Sequence, residues 1–140
     1  VVIMGIEAGI YSRLSGSTAI TALIGTRIYP QIVPQGASYP NARFTIITDE
    51  VINSSTGHTT LRQASLQVDC YSANSYSGAI SIADAITKQL NTNSTTFGSI
   101  NVENSHVTSA GDEPAFLPTD GSDDYIFGRS LDIDLFYYST

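Results

Sequence analysis

Apolar residues recur every four positions at Ile6, Ile10 and Leu14, which places them on one face of an opening helix. Ser15-Gly16-Ser17 interrupts it. Ser17 is placed to cap a second short helix carrying Ile20, Leu23 and Ile24, with Gly25 as the stop. Helices this short are marginal alone in water, so both must dock on something larger. The clearest helix runs from Asn74 to Leu90. Its stripe is Tyr76, Ala79, Ile80, Ala83, Ile86 and Leu90, with Asn74 or Ser75 as N-cap and Asn91 to Asn93 as terminator. Period-two patterning marks the strands. A first strand covers about Ala42 to Asp49 on Phe44, Ile46 and Ile47. A second covers about Arg62 to Tyr71, where Leu66, Val68 and Cys70 alternate with Gln67 and Asp69. A third covers Phe97 to Val107. In the last, Tyr125, Phe127, Leu131, Ile133, Leu135 and Tyr137 oppose Gly128, Ser130, Asp132 and Asp134. A strand that long with one apolar face belongs at the centre of a sheet or reaches past it to a neighbour.

Between these elements the pattern weakens. Residues 29–40 hold Pro30, Pro34, Pro40 and Gly36 and read as an irregular crossover. Val51 to Leu61 is rich in Ser, Thr, Asn and Gly and reads as a flexible hairpin tip or arm. Gly111 to Asp124 reads as an acidic loop. The expected fold is α+β: an antiparallel sheet of about four strands with two or three helices on one face, a two-layer sandwich. No linker or repeat divides it, so residues 1–140 form one domain.

Composition narrows the function. Hydrophobic residues make up 41% and charged ones 14% of 140 residues, enough apolar surface for one core without metals or disulfides. The net charge is −7, and the six bases Arg13, Arg27, Arg43, Arg62, Lys88 and Arg129 are scattered. Tight grip on nucleic acid or on an anionic membrane needs clustered positive charge, so both are excluded as partners. Cys70 is the only cysteine, and no leader-like or membrane-length apolar run occurs, which predicts production in the cytosol.

Catalytic chemistry finds little support. His58 falls in the polar loop and His106 at a strand end, and no nucleophile elbow, phosphate loop or EF-hand spacing occurs. Asp132 and Asp134 project from one face of the last strand. Paired carboxylates can hold a metal or move a proton, but strict alternation with apolar residues makes them the wet side of a sheet. The chain is read as a non-enzyme without metal or cofactor. Tyr is enriched at protein contacts. Tyr137 is assigned to the core, and Tyr138, on the opposite face, to an interface.

Five stretches together resemble a known family. They are Ile6 to Leu14 followed by Ala19 to Gly25; Arg27-Ile28-Tyr29-Pro30; Pro34-Gln35-Gly36 to Pro40 leading into Phe44; Leu66 to Tyr71 with Ala83 to Ile86; and Ser130 to Tyr137. In this order the chain resembles the tail-terminator, or tail-completion, proteins of long-tailed bacteriophages. The resemblance implies a structural virion protein of the tail and neck, assembled in the host cytoplasm. It implies a homo-hexameric ring at the head-proximal end of the tail tube, ending tube polymerisation and joining the tail to the head-tail connector or stopper. DNA would pass through the lumen without specific binding. Expected interface residues are Tyr138, Asp132, Asp134, His58 and Arg62. Part of the acid cluster at 112–134 is expected to face the lumen. The alternatives are another neck component (a stopper or adaptor), a small hydrolase, and a small-ligand binder.

Overall fold

The computed structural model describes residues 5–54, 57–117 and 124–138. Ile6–Ser15 forms α1 and Thr18–Ile24 forms α2, joined as the Ser-Gly-Ser break predicts. Ser17 Oγ accepts the backbone N–H of Ile20 at 3.4 Å, and Gly25 ends α2 at φ 60°, a conformation glycine adopts without strain. Then follow β1 (Ile28–Pro30), β2 (Asn41–Ser54), β3 (Gly57–Ala73), α3 (Tyr76–Leu90), β4 (Thr92–Phe97), β5 (Ile100–Phe116) and β6 (Ile126–Tyr138). Ser75 is the N-cap of α3, accepting from the Gly78 N–H at 3.0 Å.

The six strands lie in the order β1-β2-β3-β6-β5-β4, parallel only between β1 and β2. The expected four-stranded two-layer sandwich is therefore corrected to a six-stranded, curled half-barrel carrying three helices. Bulges produce curl: the register shifts at two places in the β2–β3 ladder and at three in β5–β6. Two strands left no signal in the sequence. β1 has three residues and ends in proline, and β4 reads Thr-Asn-Ser-Thr-Thr-Phe, an edge strand whose one core residue is its last, Phe97.

Two segments read as loops are largely strand. The polar stretch 51–61 continues β2 to Ser54 and β3 from Gly57, with Asn53 opposite His58. Gly111 to Phe116 extends β5; its acids and Pro114 suit an outer edge facing water, and the ladder is irregular between Glu113 and Phe116. Residues 118–123 of that expected loop lie outside the described residues.

One apolar core joins helices and sheet. Ile10, Leu14, Ile20 and Ile24 from the first two helices meet Ile82, Ile86 and Leu90 from α3 over Leu66, Val68, Leu131, Ile133 and Leu135. Each such side chain contributes about 1.5–3 kcal/mol on full burial. Tyr76, placed on the α3 stripe from its spacing, is instead 47% exposed, and Ile82 takes up the buried position. The close approach of α1 explains Gly9: a Cβ there would stand 2.7 Å from the Phe97 carbonyl oxygen.

Candidate functional site: the polar face of the sheet

Strand alternation sends Leu131, Ile133, Leu135 and Tyr137 into the core and turns Asp132, Asp134 and Tyr138 to the opposite face. That second face carries no helix among the described residues. Ser65, Gln67 and Asp69 of β3 and Ser109 and Glu113 of β5 share it, because directly paired residues point the same way. Asp132 accepts the Ser109 hydroxyl at 2.8 Å and Asp134 that of Ser65 at 3.4 Å. The Tyr138 hydroxyl donates to Glu103 at 2.9 Å.

The expected interface residues do not all converge. Arg62 pairs across the ladder with Tyr137 and lies on the core side. Its Nε donates to Asp49 at 3.0 Å, and the Tyr137 hydroxyl donates to the same carboxylate at 2.7 Å. Burial, then the bond to Asp49, pushes the Tyr137 phenol up to about 12. His58 takes its place opposite Asn53 near the hairpin tip, away from the other four.

At the far end of the polar face lies a charge cluster that no local pattern announced. Asp69 is buried, its side chain 2% exposed, and Arg43 Nε donates to it at 2.9 Å. Gln67 Nε2 donates to its other oxygen at 3.0 Å, and Glu113 is hydrogen-bonded to it as well. Burial opposes charge on Asp69, but the bonds from Glu113, Gln67 and Arg43 outweigh it and hold the carboxyl below its ordinary range. Glu113 moves the other way. Burial, then the neighbouring Asp69, pushes it up to about 7, so it keeps its proton well above the ordinary carboxyl range and gives it up only around neutral pH. Gly128 makes room for this pair: a Cβ there would lie 2.9 Å from Glu113 Oε2 and 3.1 Å from the Tyr71 ring. From sequence, Gln67 and Asp69 read only as a wet strand face and Glu113 only as part of a loop. Strand register alone could join them.

The arrangement binds charge within the fold rather than presenting it. Three arginines pair with acids: Arg43 with Asp69, Arg62 with Asp49, and Arg129 with Asp112. Arg27 donates to the Pro40 carbonyl at 2.8 Å, and Arg13 donates to the Gln89 carbonyl at 3.1 Å while lying over the Phe97 ring. Among the described residues no three His, Cys, Asp or Glu side chains converge as a metal site, and no helix is long and apolar enough to cross a membrane. Among the described residues, open clefts of about 200 Å³ lie beside Asn41, Arg43, Tyr71 and Phe116, about 210 Å³ beside Phe44, and about 430 Å³ beside Thr95 and Tyr138.

Comparison with known proteins assigns this arrangement to a class. No curated protein matches the chain. Among solved structures, a chain from the virion of a native gene transfer agent particle superposes with a TM-score of 0.68 at 16% identity, over 96% of this chain and 95% of that one. A second solved chain gives 0.56 at 18% identity over 96% of each. These share the fold. Residues 8–116, well over half of the chain, match the family model described as tail completion protein gp17. The chain belongs to the tail completion protein gp17 family, structural virion proteins rather than enzymes.

Proposed function

We propose that this chain forms a homo-hexameric ring at the head-proximal end of the tail tube, where it ends tube polymerisation and joins the tail to the head connector. Family membership carries the location in the tail and neck. Assembly takes place in the host cytoplasm, and residues 1–140 act as one domain, as the single core of the described residues supports.

The polar face of the sheet supports a further element of this reading. Helices cover one face, so the other is free to line a lumen. It presents Asp132 and Asp134 together with Ser and Gln, and its one arginine, Arg43, is tied to the buried Asp69. Such a wall repels phosphates and lets DNA slide without sticking. Asp112 is held apart from this wall by its pairing with Arg129.

The β2–β3 hairpin supports an arm. Gly57 and His58 pair with Ser54 and Asn53 of β2, and among the described residues β6 reaches only to Leu61. A two-stranded ribbon standing beyond its sheet has little stability of its own and gains order on a neighbour or on the tube. The ribbon brings His58 to that contact, with Arg62 at its base. Tyr138, Asp132 and Asp134 serve the lumen-side surface.

Cryo-electron microscopy of the virion neck tests the assignment. A six-fold ring of this chain on the tube, polar sheet face inward, is the expected result. The chain on the head side of the neck would assign a stopper or adaptor instead, and outward-facing Asp132 and Asp134 would remove the lumen role.

A further inference from the structure

The two edges of the sheet are stepped in opposite senses. On one edge β1 pairs with Ala42 to Phe44, and no described strand covers the outer side of β2 from Thr45 to Val51. On the other edge β4 covers β5 from Ile100 to Ser105, and no described strand covers it from His106 to Phe116.

The ladder registers show that these steps stand at matching heights. Val51 pairs with Arg62, Arg62 with Tyr137, Tyr137 with Val102, and Val102 with Thr95. Val51 on open β2 and Thr95 on β4 therefore end the same lateral row. In the same way Asp49 is level with Thr92, and Glu50 with Asn93. Lower on the sheet, one row runs from Tyr29 through Arg43, Asp69 and Ser130 to Gly111. So β4 is level with the uncovered part of β2, and β1 is level with the uncovered part of β5.

The geometry points to an edge-to-edge joint between neighbouring copies of this chain. In it β4 of one copy lies along Asp49 to Val51 of the next, and β1 of that next copy fills the step beside Ala110 to Asp112 of the first. This deepens the ring proposed above and rests on it.

Three observations support the joint. Strand directions permit it: β1, β2 and β4 run one way and β5 the other, so β4 meets β2 in parallel and β1 meets β5 antiparallel, both sound ladders. The joint is level, and a head-to-tail contact closes into a ring only without axial offset; an offset yields a helix. Finally, within that stretch of β2 Val51 is 45% exposed. Exposed β-branched apolar residues on an open edge are what soluble proteins avoid unless a partner covers them. The facing residues on β4 are uncharged Thr and Asn, so Asp49 and Glu50 meet no like charge.

Disulfide trapping tests the joint. In a V51C/T95C double variant the two cysteines of one chain lie four strand spacings apart, about 19 Å, whereas a disulfide needs Cα atoms within about 7 Å. Any bond must then join two copies. The native Cys70 is buried, and burial raises its thiol pKa, so it does not compete. Oxidised neck complexes from particles carrying V51C/T95C are expected to run as a ladder of covalent multimers. The off-row pair V51C/A110C is expected to stay monomeric on the same gel. Should the double variant not enter particles, mixed V51C and T95C single variants are expected to give a covalent dimer. A ring visible in the neck density of the unaltered particle, with no row-specific bond in either format, overturns the joint and leaves the ring. Density without any ring of this chain overturns the ring and the joint together.

Discussion

The two ends of the sheet use the same Arg–Asp chemistry in different surroundings. At one end Arg43 and Asp69 meet where the carboxylate is 2% exposed; at the other, Arg62 and Asp49 meet with side chains 28% and 30% exposed. Bond lengths of 2.9 and 3.0 Å do not distinguish them. Burial does. An ion pair in water gains little, because solvent screens it and both side chains lose freedom. A buried carboxylate has no such fallback, so each of its bonds to Arg43, Gln67 and Glu113 becomes obligatory. Identical pairs on a contact list can therefore differ several-fold in consequence.

The largest expected effect comes from removing the buried acid. Asp69→Ala should cost about 3 kcal/mol, the low end for a broken buried pair, because Arg43 keeps partial contact with water. Chemical denaturation reads this directly, and a loss below 1 kcal/mol would place Asp69 with the surface pairs. Gly128→Ala should follow at about 1–3 kcal/mol, since its methyl must displace Glu113 or Tyr71. The double variant with Glu113→Ala should recover part of that loss.

Glu113→Gln sharpens the comparison through pH. The Glu113 pKa is raised in the fold from 4.5 to about 7, so the unfolded chain releases this proton first as pH rises. Its contribution is greatest below about 4.5 and is lost as pH climbs to about 7. Asp69 has the opposite sign: its lowered pKa supports stability above 3.8, a contribution lost as pH falls through the folded value. Melting temperatures should therefore decline between pH 4.5 and 7 in the native chain, and Glu113→Gln should flatten that slope by a few degrees. An unchanged slope would show that Glu113 is not buried against Asp69. The smallest effect belongs to Arg62→Ala, under about 1 kcal/mol in stability and reduced further by salt. A loss rivalling that of Asp69→Ala would erase the distinction between the two ends.

This contrast also separates what the sequence discloses from what it conceals. Helical stripes and the β6 alternation announce the core, because each is a local period set by burial on one face. Ser17 and Ser75 announce caps for a similarly local reason. The strands β1 and β4 bury one apolar residue each, Ile28 and Phe97, and a single buried position makes no period. The acidic end of β5 looked like a loop because an outer edge strand is as wet as a loop. The Arg43–Asp69–Glu113 cluster spans three strands that only register brings together, and Asp69 is spelled no differently from an exposed Asp such as Asp132.

The position of β6 has a consequence for biosynthesis. It stands between β3 and β5, yet it is the last of the described strands in sequence. Until it has been made, β3 offers an unsatisfied edge along its length, and Leu66 and Val68 lack the Leu131 and Ile133 they pack beside. Folding must then finish only after this strand leaves the ribosome, through pairings such as Ser65 with Asp134 that close long stretches of chain. Nascent chains halted before Ile126 should be sticky and dependent on chaperones. Completion of β6 is thus the event that turns an aggregation-prone intermediate into a subunit fit for assembly.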